Sequence, residues 1–386
     1  MTKKILIACD SPRSLLDFRG KLIEQMVLQN EVSVFTPPIE QESIRTKLAV
    51  LGVTVYENHL RPSSVSLVQD LRYMAELYRL LRKLKPEVFF PYTFKPVIYG
   101  TIVARLCGIR RITPMLTGLG NTFLRRKRGP TLVQRITRAL LSISLSPARH
   151  VHLILQNPDD YGTLRRSGVL KRGANAHVVN GSGVDLEQFT YSKPPVNPPS
   201  FLMVSRLINA KGVREFYEAA KLTRLSHPEA TFTIIGAFED NIDSISAELY
   251  EQIAGGNAVQ YHGLVSDVRP FIEAASVVVL PSYYGEGVPR SLLEAMAMGR
   301  AIITCDSVGC RETINPDPGS RNGLLVQARN AKDLADKMHH YVVCPEDIVD
   351  SGRNGRAFVC QKFDVLAVNA DMLRIMGIPA SVVPVT

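Results

Sequence analysis

The sequence predicts an α/β protein of two parallel-sheet domains, and three observations carry that expectation. Short β-branched runs alternate with helix-length segments along the whole chain, the pattern of strand–helix–strand units. Four prolines fall within six residues between Pro194 and Pro199 and interrupt the alternation midway. The length, 386 residues, exceeds what one ordinary core organises.

Taken in order, KILIAC, EVSVFT, VTVYE, EVFFPY, RRITPML, HLILQN and AHVVN read as strands of the first half, separated by segments such as SLVQDLRYMAELYRLLRKLK with helical spacing. After the proline cluster, SFLMVS, TFTIIG, AVQYHG, SVVVLP, AIITC and GLLVQ repeat the pattern. The expected organisation is a Rossmann-like domain over residues 1–185, a proline-rich linker over 186–200 and a second Rossmann-like domain over 201–362. A C-terminal helix and tail, 363–386, is expected to return to the first domain, and the two sheets are expected to face a central cleft.

Composition narrows the classes. No apolar stretch approaches the ~18 residues of a membrane span, and MTKKILIACD reads as a first strand rather than a signal peptide, so a cytoplasmic location is expected. The six cysteines show no C-x-x-C spacing, which argues against a disulfide framework and a zinc site. No D-x-D sequence or ligand-spaced His/Asp cluster points to a metal. Nothing resembles a nucleic-acid-binding signature, and KILIACD is not followed by the G-x-G-x-x-G turn of dinucleotide sites.

The net charge of +10 is unevenly placed. Between Val88 and Pro158 stand eleven Lys/Arg and no Asp or Glu, among them Lys95, Arg125, Arg126, Lys127, Arg128, Arg135 and Arg138. Inside this segment TLVQRITRALLSISL places apolar residues at 132, 133, 136, 139, 140 and 143, a helical stripe beside Arg135 and Arg138. Two readings stand: a basic face on an anionic membrane surface or a diphosphate, and a solvated helix whose stripe is core.

YYGEGVPRSLLEAMAMG, Tyr283–Gly299, carries the chemistry. The buried run VVVLPS leads into a glycine-bearing turn, Pro289 is expected at the first helical position, and Gly299 ends the helix. Gly287 and its neighbours then offer unbonded amides at a helix start, an anion site. Glu286 stands in the turn and Glu294 in the second helical turn, so a diphosphate at the helix start would set a sugar near Glu286 and a ribose near Glu294.

EGVPRSLLEAMAMGRAIIT resembles the E-x7-E signature of the retaining family-4 glycosyltransferases, enzymes of the two-Rossmann GT-B architecture. VSRLINAKG (204–212), NGSGVDLEQF (180–189) and GLVSDVRPFIEAASVVVLPS extend the resemblance over nearly the whole C-terminal domain. SLLDFRGKL, PYTFKPVIYG and TGLGNTF are similar to capsular and O-antigen members, including the PglA-like N-acetylgalactosaminyl- and galactosyltransferases.

The resemblance implies a metal-independent enzyme that needs no cofactor and moves a hexose or N-acetylhexosamine from a UDP-sugar to a polyprenyl-diphosphate-linked glycan, peripherally attached to the inner membrane face. It implies that Arg206 and Lys211 hold the donor diphosphate, that Glu286 meets the transferred sugar and that Glu294 accepts from the ribose hydroxyls. Ser205, Leu264, Gly287 and Val288 complete the expected donor site; Arg19, Thr93, Lys95, Thr117 and Gly118 are expected on the acceptor side. One departure stands out. Many members carry a histidine near the transferred sugar, where PYTFKPVIYG has Thr93 and Lys95. A UDP-sugar epimerase and a non-catalytic nucleotide-sugar-binding protein remain the alternatives; the first would interconvert donor without acceptor.

Overall fold

The computed structural model describes residues 2–60, 66–123, 129–238 and 243–379, and the chain divides into two compact units. One runs up to Ser182 and resumes at Leu366; the other is Gly183–Val365.

The first unit is built on parallel strands β1 (Lys4–Ala8), β2 (Glu31–Thr36), β3 (Thr54–Glu57), β4 (Val88–Pro91) and β5 (Arg111–Ile112), in the order β3-β2-β1-β4-β5. Strands β6 (Met115–Leu116), β7 (His152–Leu155) and β8 (Asn175–Val178) form a second parallel group, joined to the first through the bridges Tyr92–Met115 and Ile112–Val151. RRITPML, expected as one strand, is split at Thr113–Pro114, where proline has no amide hydrogen for a ladder. The central strands β1 and β4 are buried almost throughout, which is why they read as continuous apolar runs instead of alternating ones. The Val365–Met376 helix adds Val368, Met372 and Met376 to the core of this unit.

The second unit holds one six-stranded parallel sheet. Its strands are β9 (Ser200–Val204), β10 (Thr231–Ile235), β11 (Gln260–Tyr261), β12 (Val277–Leu280), β13 (Ala301–Cys305) and β14 (Gly323–Val326), in the order β11-β10-β9-β12-β13-β14. The proline-rich stretch is not a free linker but part of this unit. Val196 packs on its core, and Arg300 donates to the Ser192 carbonyl at 2.6 Å and its hydroxyl at 2.5 Å.

Both sheets reverse their winding at one place: between β1 and β4 in the first unit and between β9 and β12 in the second. At such a switch point doubly wound sheets hold ligands, in the crevice beyond the carboxyl ends of the strands.

Exposure along the helix Leu132–Ser144 bears on the core reading of its stripe. A capping box starts it: Thr131 accepts from the Gln134 amide and Gln134 accepts from the Thr131 amide. Gln134, Leu141 and Ser144 face inward, while Leu132, Val133, Ile136 and Ile143 are 50–72% exposed. Of the stripe, Leu140 packs on the core while Leu132, Val133, Ile136 and Ile143 do not.

Candidate functional site

In the second unit the loops after β9 and β12 meet. The first carries Ser205 and Arg206 and closes in the short 3-10 turn Asn209–Lys211; the second runs from Pro281 through Glu286 into the helix Arg290–Ala297. The Ala210 carbonyl accepts from the amides of Tyr283 and Tyr284, pinning one loop to the other. Lys211 donates to the Glu286 carboxylate, a short contact, and the Ser282 hydroxyl donates to the same oxygen at 2.9 Å. Both charged side chains are largely buried, at 15% and 12% exposure. The two residues expected at opposite ends of a sugar diphosphate thus neutralise each other.

Pro289 is the N-cap rather than the first helical residue, and no side chain caps this helix. Gly287 and Val288 are buried immediately before it. Glu294 is 8% exposed in the second turn, and the Arg290 guanidinium one turn earlier donates to it at 2.6 Å. Arg290 restricts the carboxylate to one direction, a role absent from the sequence reading. Arg206 is exposed on its loop, and Ser205 turns its hydroxyl to the Arg206 carbonyl at 3.1 Å. Leu264 stands 60% exposed after β11.

Three glycines hold these loops close, and only tertiary structure shows it. A Cβ on Gly212 (φ +78°) would lie 2.3 Å from the Pro281 carbonyl oxygen, and one on Gly236 (φ +145°) 1.8 Å from that of Ser205. On Gly309 (φ +77°) it would meet the carbonyl oxygens of Glu286 and Gly287 at 2.5 and 2.4 Å. Gly309→Ala is expected to push the Glu286–Gly287 turn outward, destabilising the unit by about 1–3 kcal/mol and removing any UDP-induced rise in melting temperature. A thermal unfolding series with and without UDP reads both effects; an unchanged UDP response would contradict the packing argument.

A fully buried thiol, Cys310, lies beside this loop. Burial, and then the Glu286 carboxylate, push Cys310 up to about 11.

In the first unit the crevice after β1 and β4 gathers Asp10, Thr93 and Lys95. Burial raises the pKa of Asp10, with the Thr93 hydroxyl and the Lys95 charge working the other way. Thr93 sits at φ +71°, a backbone region that a β-branched residue avoids, and its amide donates to the Met115 carbonyl at 3.2 Å. Lys95 donates to Asp70 at 2.8 Å, and the Tyr99 hydroxyl donates to the same carboxylate at 2.7 Å. A partly buried acid beside a strained residue is what functional crevices accumulate. KILIACD reads only as a strand end, and the partners that meet Asp10, Thr93 and Lys95, lie more than eighty residues on, so the sequence carries no signal for it.

The other expected acceptor-side residues divide. Thr117 and Gly118 are partly exposed after β6, with Gly118 at φ +124°. Arg19 is 1% exposed and stacks over the Tyr92 ring at 5.5 Å, an interior position rather than a surface one. Of the basic patch, residues 125–128 lie outside the described residues. Arg135 is exposed, but Arg138 donates twice to the Thr122 carbonyl and lies 4.8 Å over the Phe123 ring, so it ties the preceding segment to the helix instead of facing outward. Among the described residues, one group brings three possible metal-ligand atoms within 4.8 Å, His340, Cys344 and Asp347, and none of the residues discussed above belongs to it.

The glycosyl transferases group 1 family matches residues 198–343, and the glycosyl transferase 4-like family matches 25–157. The chain belongs to the glycosyltransferases. This glycosyltransferase is 27% identical, over 84% of its length and 85% of the relative's, to the N,N'-diacetylbacillosaminyl-diphospho-undecaprenol alpha-1,3-N-acetylgalactosaminyltransferase of Campylobacter jejuni. It is 26% identical, over 64% of each chain, to the UDP-Gal:alpha-D-GlcNAc-diphosphoundecaprenol alpha-1,3-galactosyltransferase of Escherichia coli. A crystal structure of Anabaena HepE in complex with UDP-glucose superposes with a TM-score of 0.76 at 17% identity, covering 97% of this chain and 99% of that one. That likeness establishes the GT-B fold.

Proposed function

We propose that this enzyme transfers a hexose or N-acetylhexosamine, of the GalNAc, Gal or Glc type, from a UDP-sugar to a polyprenyl-diphosphate-linked saccharide, with retention of anomeric configuration. The observation that carries the reading is the Lys211–Glu286 pair at the switch point of the second sheet, followed by an uncapped helix start and the held carboxylate of Glu294. The names of the two relatives support the acceptor class.

On this reading the donor diphosphate draws Lys211 away from Glu286, joined by Arg206 and the Gly287 amide, and the sugar hydroxyls take Lys211's place on Glu286. As the bond from the anomeric carbon to the diphosphate oxygen breaks, negative charge grows on that oxygen, and fixed cations and amides stabilise it more than they stabilise the bound substrate. The acceptor hydroxyl oxygen bonds to the anomeric carbon, and its proton passes to the leaving phosphate. Because Arg206 and Lys211 supply the positive charge, this scheme calls for no metal. Glu294 receives the ribose hydroxyls, and Asp10 and Thr93 belong to the acceptor side.

We assign the membrane as the surface on which this chemistry takes place. The Leu132–Ser144 helix offers its exposed apolar stripe to the bilayer, with Arg135 beside it for anionic headgroups. Among the described residues no helix is long and apolar enough to cross a membrane.

The test is Glu294→Ala. Native protein is expected to gain thermal stability with UDP in proportion to the logarithm of concentration over affinity, and the variant to lose most of that gain and about 10–100-fold in turnover. Turnover is followed with UDP-GalNAc, UDP-Gal, UDP-GlcNAc and UDP-Glc against undecaprenyl-diphosphate-linked acceptors. Full activity of the variant, or donor interconversion without acceptor, would remove the assignment.

A further inference from the structure

The helix Leu132–Ser144 is not alone in turning apolar side chains outward. Leu67, Val68 and Leu71, in the first two turns of the helix Leu67–Leu84, are 79, 77 and 64% exposed. Their spacing, continued by Tyr78 at 46%, draws one outer stripe along the helix. At 100° per residue, Arg72 and Arg79 stand along the flank of that stripe.

Local contacts place the starts of the two helices at the same end of the first unit. Asp70, in the first turn of one, bonds Lys95 and Tyr99 at the start of the helical segment that follows β4. Further along, Leu77 and Leu81 share a core cluster with Val103 and Ala104 of the helix Thr101–Leu106. At its end, Arg105 donates to the Ser144 and Ser146 carbonyls at the end of the other apolar-faced helix. The three segments therefore run side by side in one direction, all beginning beyond the carboxyl end of β4, beside the crevice of Asp10, Thr93 and Lys95.

We infer that these two helix starts form one lipid-docking surface that seats the first unit with the carboxyl ends of its strands toward the bilayer. The inference rests on the membrane reading above and adds to it a second point of contact. One contact line leaves a body free to roll about the helix axis. Two on either side of the segment after β4 set its orientation, so that a diphosphate just outside the lipid meets the crevice directly.

Charge selects a bilayer over another protein copy. The acids of the Leu67–Leu84 helix are both engaged, Asp70 by Lys95 and Tyr99, and Glu76 by Arg72 at 3.0 Å and His59 at 2.8 Å. The Leu132–Ser144 helix has none. Of the exposed basic residues, Arg79, Arg82 and Lys83 stand ~18–24 Å along their helix from Leu67, whereas Arg135 stands in the first turn of the other helix, at the docking end, where it suits anionic headgroups and would meet its own copy across a symmetric dimer.

The chain has no tryptophan, so single insertions report cleanly. Leu71→Trp and Ile136→Trp are each placed in the full chain, with Leu225→Trp, at an 84% exposed site of the second unit, as control. Vesicles of phosphatidylethanolamine with phosphatidylglycerol, plain or carrying brominated acyl chains, are then added. Both test tryptophans are expected to shift to the blue and to be quenched by the brominated lipid, and the control to do neither. In parallel, Leu67→Asn with Leu71→Asn is expected to weaken vesicle binding about tenfold or more while leaving turnover on a short, water-soluble acceptor unchanged.

Insertion of Ile136→Trp without Leu71→Trp would overturn the two-helix surface and leave the single-helix reading standing. Insertion of neither would remove both. A Leu71→Trp shift that depends on protein concentration and not on vesicles would replace the bilayer with a second copy.

Discussion

Lys211→Ala is expected to lower kcat for sugar transfer about 100- to 1,000-fold, the scale found when one preorganised group that stabilises a developing oxyanion is removed. Lys211 lies on the 3-10 turn Asn209–Lys211, fixed by the left-handed Gly212 behind it and by the Ala210 carbonyl in front. Its ammonium cannot be replaced by a neighbour, because a lysine point charge on a short rigid turn reaches a different place from the exposed Arg206. The substitution also removes the ammonium from beside the Glu286 carboxylate, 12% exposed, to which the Ser282 hydroxyl still donates. The double variant with Glu286→Gln is therefore expected to recover part of the lost melting temperature and none of the lost rate. Measuring both quantities separates the structural share of the ion pair from its chemical share. A Lys211→Ala enzyme within tenfold of native kcat would sink the role given to this residue.

Arg300→Met is expected to give the largest loss of stability, about 3–5 kcal/mol in the second unit. The guanidinium is fully buried and burial pulls its pKa down to about 10, so it stays charged at neutral pH. It donates to the carbonyls of Ile272 at 2.7 Å, Ser192 at 2.6 Å, Met298 at 2.9 Å and Glu273 at 3.1 Å, and to the Ser192 hydroxyl. Methionine fills similar volume but leaves four carbonyls without this partner, those of Ile272 and Met298 in the buried part of the site. Because Met298 closes the Arg290–Ala297 helix, the same change is expected to loosen Glu294 and to weaken UDP binding. Urea unfolding, compared with the exposed control Lys221→Met, measures the first effect. A midpoint no lower than the control's would contradict it.

Much of this molecule was legible before its folding was known, and the reason is local. Buried parallel strands have to be apolar on both faces, so KILIAC and SVVVLP announce themselves. The helix start at EGVP before SLLEAMAM is readable too, because glycine and proline mark a turn and the apolar helical spacing begins directly after it. RRITPML was misjudged because one proline outweighed the β-branched composition around it. The stripe of Leu132, Val133 and Ile136 stayed ambiguous because periodicity states that a helix has an apolar side and not what that side meets.

The sequence by itself determined the alternation of strands and helices, the position of the two glutamates and the excess of positive charge, all consequences of bonding and polarity within a few residues. Tertiary structure decided the rest. It paired Lys211 with Glu286 across seventy-five positions of chain, set Gly309 where only a hydrogen fits against Glu286 and Gly287, and brought Thr93 and Lys95 to Asp10. It also turned the apolar stripes of two helices outward, since which face of a helix is covered depends on its neighbours and not on its own spacing.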